Sequence, residues 1–172
     1  MTFKELYLSD ISRYAKVRWR MKRFHFYFRK SQTSNNPILK YWYRLVFSSI
    51  KNKWGMELSR TTSIGKGLYL GHPFNITINP KAIIGNNCNL HKGVTIGQEN
   101  RGARKGAPLI GNEVWIGVNA TVVGNIVIGD DVLIAPNTYV NCDIPSHSVV
   151  FGNPCIIKHR DKATEGYINN VV

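Results

Sequence analysis

IGNEVWIGVNATVVGNIVIGDDVLIAPNTYV, residues 110–140, carries an aliphatic residue at every sixth position. The spacing extends back to Leu58, with a two-residue shift after Ile76 and a longer gap after Ile96. The aliphatic positions are Leu58, Ile64, Leu70, Ile76, Ile78, Ile84, Leu90, Ile96, Ile110, Ile116, Val122, Ile128, Ile134 and Val140. A six-residue period fits neither a 3.6-residue helix nor a single amphipathic strand.

This repeat predicts a coil in which a short strand and a tight corner alternate. The aliphatic residue points inward, a small residue four positions later fills the corner, and Gly relieves steric strain at the bend. Three such sides close one coil, and stacked coils bury one continuous core. A β-sandwich with chance periodicity is the alternative, and the unbroken run of aliphatic positions argues against it.

Over residues 56–160 the repeat resembles that of the hexapeptide-repeat acyltransferases. The resemblance implies a left-handed parallel β-helix and a homotrimer. The predicted fold class is mainly β: a left-handed parallel β-helix of hexapeptide repeats preceded by a short N-terminal α-helical hairpin. The predicted domains are a helical region (1–55), the β-helix (56–160) with a loop at 97–109, and a frayed C-terminal tail (161–172).

The helical region carries most of the charge. The chain has a net charge of +13, and residues 1–60 hold 14 Lys and Arg residues against three acidic ones. We predict one helix capped by Asp10 and a second that begins at Pro37. Their aromatic and basic residues leave three interpretations: packing with a solvated charged face, docking on an anionic membrane, or nucleic-acid binding. The last is disfavoured because no nucleic-acid-binding motif accompanies the charge.

The cellular setting is predicted from the start of the chain and its cysteines. MTFKELYLSD does not resemble a secretory signal, and ILKYWYRLVFSSI is interrupted by Lys40 and Arg44 and is too short to span a bilayer. The three Cys residues show no paired spacing, and Cys88 fits a corner of the core. These features predict a cytoplasmic protein, with peripheral contact to the inner face of the membrane as an addition.

His72 and His91 follow the aliphatic positions Leu70 and Leu90 on successive predicted coils, so both should emerge near one edge. An imidazole ionises near neutral pH and can take a proton from an alcohol that attacks a thioester. His25, His147 and His159 are predicted to lie in packing, turn and tail positions. No His or Cys spacing indicates a metal site, so no metal is predicted.

The segment LYLGHPFNITIN resembles the part of serine acetyltransferases that carries the catalytic His. The resemblance implies that His72 is the general base and that Glu57 orients it or contacts the acceptor. His91 is a second candidate, as an alternative base or for acceptor binding. Two features depart from those enzymes. Gly71 stands where they have Asp, and residues 106–110, GAPLI, replace the Arg-His-Pro-Lys-Ile pattern that helps them hold serine.

Acetyl-CoA is the acyl donor that the resemblance implies, since residues 112–140 resemble the donor-binding coils of the family. The implied donor-binding residues are Gly97, Trp115, Gly117, Ala135, Asn141, Lys158 and Arg160. Lys158 and Arg160 would meet nucleotide phosphates, and Trp115 could instead be a surface aromatic at a trimer seam. The basic loop at 97–109 is predicted to form a wall of the site.

The predicted function is therefore an acetyl-CoA-dependent O-acetyltransferase. Its predicted acceptor is a sugar hydroxyl of a cell-surface polysaccharide or of its lipid-linked precursor, attacked directly with help from His72. A serine O-acetyltransferase is the alternative. A non-catalytic scaffold or membrane-binding β-helix is the second alternative.

Overall fold

Three α-helices precede fifteen short β-strands in the computed structural model, which describes residues 1–172. The helices are α1 Phe3–Ser12, α2 Trp19–Thr33 and α3 Pro37–Lys53. The strands are β1 Glu57–Leu58, β2 Ser63–Ile64, β3 Tyr69–Gly71, β4 Thr77–Ile78, β5 Ile83–Ile84, β6 Asn89–His91, β7 Thr95–Gly97, β8 Leu109–Ile110, β9 Val114–Ile116, β10 Thr121–Val123, β11 Val127–Ile128, β12 Val132–Ile134, β13 Tyr139–Val140, β14 Ser148–Phe151 and β15 Ile156–His159. No helix is both long and apolar enough to cross a membrane.

The strands form three parallel sheets, which are the three faces of a β-helix. The first sheet contains β1, β4, β7, β10 and β13, and the second contains β2, β5, β8 and β11. The third contains β3, β6, β9, β12 and β14, with β15 added antiparallel at its end. Each full coil contributes one strand to each face. The predicted parallel β-helix of hexapeptide repeats behind N-terminal helices is confirmed.

One aliphatic core runs through the coils. All the aliphatic positions that define the six-residue repeat are buried and belong to a single hydrophobic cluster. Cys88 is fully buried in the same cluster, as predicted. Burying one Leu, Ile or Val side chain is worth about 1.5–3 kcal/mol, so the repeated inward position is the main source of stability in this part of the chain.

The two-residue irregularity lies one corner earlier than the repeat suggests. Leu70 pairs in register with Leu90, and Ile78 pairs with Ile96. The segment from Leu70 to Ile78 is therefore two residues longer than its counterpart. Ile76 takes the corner-filling position, because Thr77 donates its amide to Val94 and pairs with Thr95. The additional residues form an enlarged corner at 72–75, between the third and first sheets.

The helical region has three helices rather than the predicted hairpin. α1 begins after Thr2, whose side chain accepts from the Glu5 amide while the Glu5 carboxylate accepts from the Thr2 amide. This capping box starts the helix well before Asp10, so the prediction of Asp10 as an N-cap is wrong. α3 begins at Pro37, as predicted, and the Asn36 side chain caps it.

A buried charged cluster joins these helices to the first coil. Arg29 on α2 donates to both carboxylate oxygens of Asp10 at 2.7 and 3.0 Å, and also to two backbone carbonyls of the coil. Asp10 accepts the Leu68 amide at 2.9 Å. His25 lies between Asp10 and the hydroxyl of Tyr14, at 3.2 and 3.0 Å. His25 was predicted as a packing residue, and it is fully buried.

The C-terminal tail is bound along the third sheet, so the prediction that it is frayed is wrong. Asp131 accepts from the backbone amides of Ala163 and Thr164. Further along, Asn89 donates to the Tyr167 carbonyl, and the Val172 amide donates to Asn87. Buried polar side chains on the outer face of the coils provide these contacts, and the six-residue repeat alone does not reveal them.

Candidate active site

The enlarged corner presents His72 to solvent. His72 directly follows β3 and has a left-handed backbone conformation with φ of 54°. Its carbonyl accepts the Phe74 amide at 2.7 Å, which closes a tight turn, and Asn75 ends the corner with φ of 55°. Gly93, Asn119 and Asn137 are the counterparts of Asn75 in the next coils, and they also have positive φ. His72 thus belongs to an insertion that the regular corners lack.

His91 lies beside this corner, because it pairs with Gly71 across the third sheet. The two histidines therefore emerge at one edge on successive coils, as predicted from their spacing. A Cβ atom at position 71 would overlap the Nδ1 and Cε1 atoms of the His91 ring. Gly71 is thus the residue that makes room for His91.

The imidazole of His91 packs among aromatic rings. Its ring centroid lies 4.7 Å from that of Trp115 and 6.3 Å from that of Tyr69. The Nε2 atom is buried and has no hydrogen-bond partner. Burial, and secondarily the nearby charge of His72, lower the pKa of His91, since both oppose protonation. His91 is therefore held neutral at neutral pH.

Glu57 is the first residue of β1, on the first sheet, and its side chain is exposed. It pairs with Thr77, which follows the His72 corner. Glu57 forms neither an ion pair nor a hydrogen bond with His72 within the chain. It lines an open cleft of about 390 Å³ together with Lys51, Asn79 and Gly97. The structure thus shows no contact through which Glu57 would orient His72, and the role of Glu57 toward the acceptor stays a prediction.

The predicted donor-binding residues lie on two edges of the β-helix. Gly117 and Ala135 follow β9 and β12 and lie at the corner column of His72, because β3, β6, β9 and β12 are in register. Gly97 and Asn141 lie at the opposite end of the first sheet, at the ends of β7 and β13. The backbone amides of Gly117 and Ala135 already donate to Ile134 and Val150, so these two amides are not free for a ligand.

The remaining predicted donor-binding residues lie on or near the third sheet. Trp115 is on its outer face, where the Tyr167 ring of the tail packs against it at 5.1 Å. Lys158 is on β15 and Arg160 directly follows it, and both are exposed at the far end of the sheet. The Lys158 ammonium lies 5.8 Å from the Phe151 ring. Both cations are free to meet an anion.

The basic loop, predicted at 97–109, comprises residues 98–108 between β7 and β8, and it leaves the first sheet at the end opposite to His72. A bridge between Glu99 and Gly106 closes it, and the Arg104 carbonyl accepts the Asn125 amide of the next coil. Arg101, Arg104 and Lys105 are exposed. Within one chain the loop therefore does not border His72, and its predicted role as a wall requires a neighbouring subunit.

Two cavities near the histidines involve residues that the sequence did not single out. One, of about 330 Å³, lies beneath the tail and is lined by Arg13, Tyr69, His91, Trp115 and Tyr167 among others. Another of about 330 Å³ separates α2 from α3 and reaches Trp54 and Phe74 of the His72 corner. Their walls come from distant parts of the chain, so local patterns could not reveal them. No group of three His, Cys, Asp or Glu side chains could hold a metal ion.

The repeat matches a known family over part of the chain. Residues 107–142 match the family described as bacterial transferase hexapeptide (six repeats). The predicted resemblance to the hexapeptide-repeat transferases is confirmed.

The curated proteins that the chain is similar to include serine acetyltransferases. The chain is 36% identical over 107 residues to serine acetyltransferase 2 of Arabidopsis thaliana, covering 62% of this chain and 33% of that protein. It is 34% identical over 106 residues to the serine acetyltransferase of Synechococcus elongatus, covering 62% of this chain and 43% of that protein. The chain thus matches less than half the length of each.

Soybean serine acetyltransferase, in its apoenzyme form, shares the fold. The TM-score is 0.72 at 23% sequence identity, over 91% of this chain and 69% of that chain. At this identity the likeness shows the fold alone. It extends beyond the β-helix into the helical region, since more than the 62% matched in sequence is superposed.

Proposed function

We propose that the protein is an acetyl-CoA-dependent O-acetyltransferase with His72 as general base. The observation that carries this proposal is the enlarged corner, which exposes an imidazole at the edge shared by Gly117 and Ala135. His72 would remove the proton of an acceptor hydroxyl as its oxygen attacks the thioester carbonyl. The carbon–sulfur bond then breaks, and the CoA thiolate leaves and takes up the proton. The acyl group passes directly to the acceptor without a covalent enzyme intermediate.

L-Serine is the acceptor that the relatives favour. The curated relatives are serine acetyltransferases. Structures of the same fold include soybean serine acetyltransferase complexed with serine and another serine acetyltransferase structure in complex with CoA. The alternative of a serine O-acetyltransferase therefore has better support than the sugar acceptor that the sequence alone favoured. Glu57, exposed one coil before His72, would contact the amino group of serine.

A sugar hydroxyl is the second candidate acceptor, and one observation favours it. The ring of His91 fills the space that a side chain at position 71 would need, and residues 106–108 of this chain are Gly, Ala and Pro. Side chains that would pair with both charges of a free amino acid are thus absent from these positions. A neutral acceptor needs no such pairing.

A homotrimer would complete the site. Ile83, Leu109 and Val127 lie side by side on the second sheet and are 46%, 44% and 51% exposed. Such an aligned apolar row supports an interface between subunits. In that assembly the basic loop of one subunit could reach the His72 corner of the next, which the loop does not approach in its own chain.

Release of the CoA thiol from acetyl-CoA tests both acceptors. Purified protein is incubated with L-serine and, separately, with a panel of sugars and oligosaccharides. Turnover with L-serine alone supports the leading acceptor, and turnover with a sugar alone supports the second. If neither calorimetry nor fluorescence detects binding of acetyl-CoA to the protein, the proposed activity is wrong. A non-catalytic role then replaces it.

A further inference from the structure

The outward face of α3 carries an apolar stripe that is largely exposed, although Trp42 at its edge contacts Tyr27 of α2. Ile38, Tyr41, Trp42 and Leu45 follow the spacing of one helix face. They are 79%, 60%, 49% and 53% exposed. The opposite face packs inward, with Phe47 buried against Phe24 and Phe28 of α2. α3 thus has two apolar faces: one packs in the core, and the other is exposed to solvent.

Cations line the grooves on both sides of the stripe. On one side, Arg44, Lys51 and Arg60 border a groove of about 310 Å³ next to Tyr41 and Leu45. On the other side, Arg20, Arg23 and Lys53 border the groove between α2 and α3. None of these six cations has an acidic partner, since the acidic groups that form ion pairs are Asp10, Asp131, Asp161 and Glu165.

The charge around the stripe decides which partner fits it. A second copy of α3 would bring two regions of the same strong positive charge together, at an electrostatic cost. A nucleic acid would match the charge but would leave the aliphatic side chains Ile38 and Leu45 without a partner of their kind. An anionic bilayer surface offers negative headgroups over an apolar interior, and Trp and Tyr side chains favour the boundary between them.

We propose that α3 docks in the plane of an anionic lipid bilayer. Ile38, Tyr41, Trp42 and Leu45 enter the boundary between headgroups and acyl chains, while Arg44, Lys51 and Arg60 contact headgroup phosphates. The helix lies on the surface and does not cross it, which agrees with its length and charge. The docking surface does not include the His72 corner, and only Lys51 among its residues also lines the cleft of Glu57.

Sedimentation with lipid vesicles tests the docking on the full chain. One set of vesicles contains phosphatidylcholine alone, and the other contains phosphatidylcholine with phosphatidylglycerol. We expect sedimentation with the second set only. Replacing Arg44, Lys51 and Arg60 together by Gln should weaken binding roughly 100-fold. Removing three exposed cations of the β-helix instead, by K81Q, R101Q and K105Q, should weaken it less than about threefold.

A second pair of variants separates apolar insertion from charge attraction. The W42S/L45S variant removes two side chains of the stripe, and I156S/V171S removes two side chains of similar exposure on β15 and the C-terminal tail, at 53% and 51%. The first should lose at least about tenfold in vesicle affinity and the second should bind as the unchanged chain does. Circular dichroism confirms that all variants are folded.

Three results would overturn the docking. Equal sedimentation with both sets of vesicles would show that docking does not depend on anionic headgroups. Equal losses of vesicle affinity in the two charge variants would show that only the net charge of the protein matters. Equal losses in the two apolar variants would show that the position of the exposed apolar side chains does not matter. Binding to a single-stranded oligonucleotide with no binding to either set of vesicles would show that the partner of the basic face is a nucleic acid and not a bilayer.

Discussion

Two histidine regions, one between the helices and the first coil and one at the corner after β3, have opposite character. Around His25, a carboxylate, a guanidinium, an imidazole and a phenol form a closed cluster in which Asp10, His25 and Arg29 are at most 1% exposed. Around His72, the imidazole is exposed, no carboxylate is bonded to it, and the adjacent His91 has a buried nitrogen without a partner.

The difference separates groups that stabilise from groups that can react. Tyr14, His25 and Asp10 are arranged much like a nucleophile, base and orienting carboxylate, but the base and the carboxylate are fully buried, so no substrate can reach them. Burial also raises the pKa of Tyr14, which keeps the phenol protonated. The composition of a cluster therefore does not identify an active site. Access does, and the enlarged corner provides access at His72.

The largest expected effect on stability comes from breaking the closed cluster. Asp10→Asn would remove the charge that balances the buried Arg29, at a cost of about 3–5 kcal/mol in the free energy of unfolding. Denaturant unfolding of the variant measures the loss. The matched change Asp161→Asn, at a site that is 91% exposed, should alter stability by less than about 0.5 kcal/mol. Equal effects would mean that the cluster is not an important support.

Acid should weaken the same cluster. Burial alone would raise the pKa of Asp10, but the contacts with His25 and Arg29 outweigh it and lower the pKa. The stabilisation is therefore present above the carboxyl's ordinary pKa and is lost as the pH falls through the lowered value. Unfolding curves at falling pH should show a steeper loss of stability for the unchanged chain than for Asp10→Asn.

A medium effect is expected where the two histidines meet. Gly71→Asp would place a side chain into the His91 ring and should cost about 1–3 kcal/mol through overpacking. Adding His91→Ala should recover part of this loss, because the new side chain then has room. A double-mutant cycle on unfolding free energies measures the coupling. Strictly additive losses would contradict the steric relation between positions 71 and 91.

The smallest effect should be the titration of His91 itself. Its pKa is lowered in the folded state, so the unfolded chain binds more protons as the pH falls below the ordinary histidine value of 6.5. The folded chain should therefore lose stability between neutral and mildly acidic pH. His91→Gln should flatten this part of the curve of stability against pH. A curve of unchanged slope would show that His91 titrates normally.

The sequence predicts the β-helix well because each coil repeats one physical requirement, an inward aliphatic residue every sixth position. It predicts the edge that His72 and His91 share for the same reason. The enlarged corner was misplaced because Ile76 fits both an inward and a corner position. The Asp10 cluster, the bound tail and the packing of His91 on Trp115 could not be predicted, since each joins side chains from separate segments without a periodic signal.

Thiol release from acetyl-CoA by paired histidine variants tests the central claim most directly. With the acceptor that the unchanged chain uses, His72→Ala should lower kcat by roughly 10²–10⁴-fold and leave the unfolding midpoint nearly unchanged, because His72 is exposed. His91→Ala should lower the free energy of unfolding, and it should reduce kcat less than His72→Ala does. Full activity in His72→Ala, or a greater loss of kcat in a folded His91→Ala, would contradict the assignment of His72 as the base.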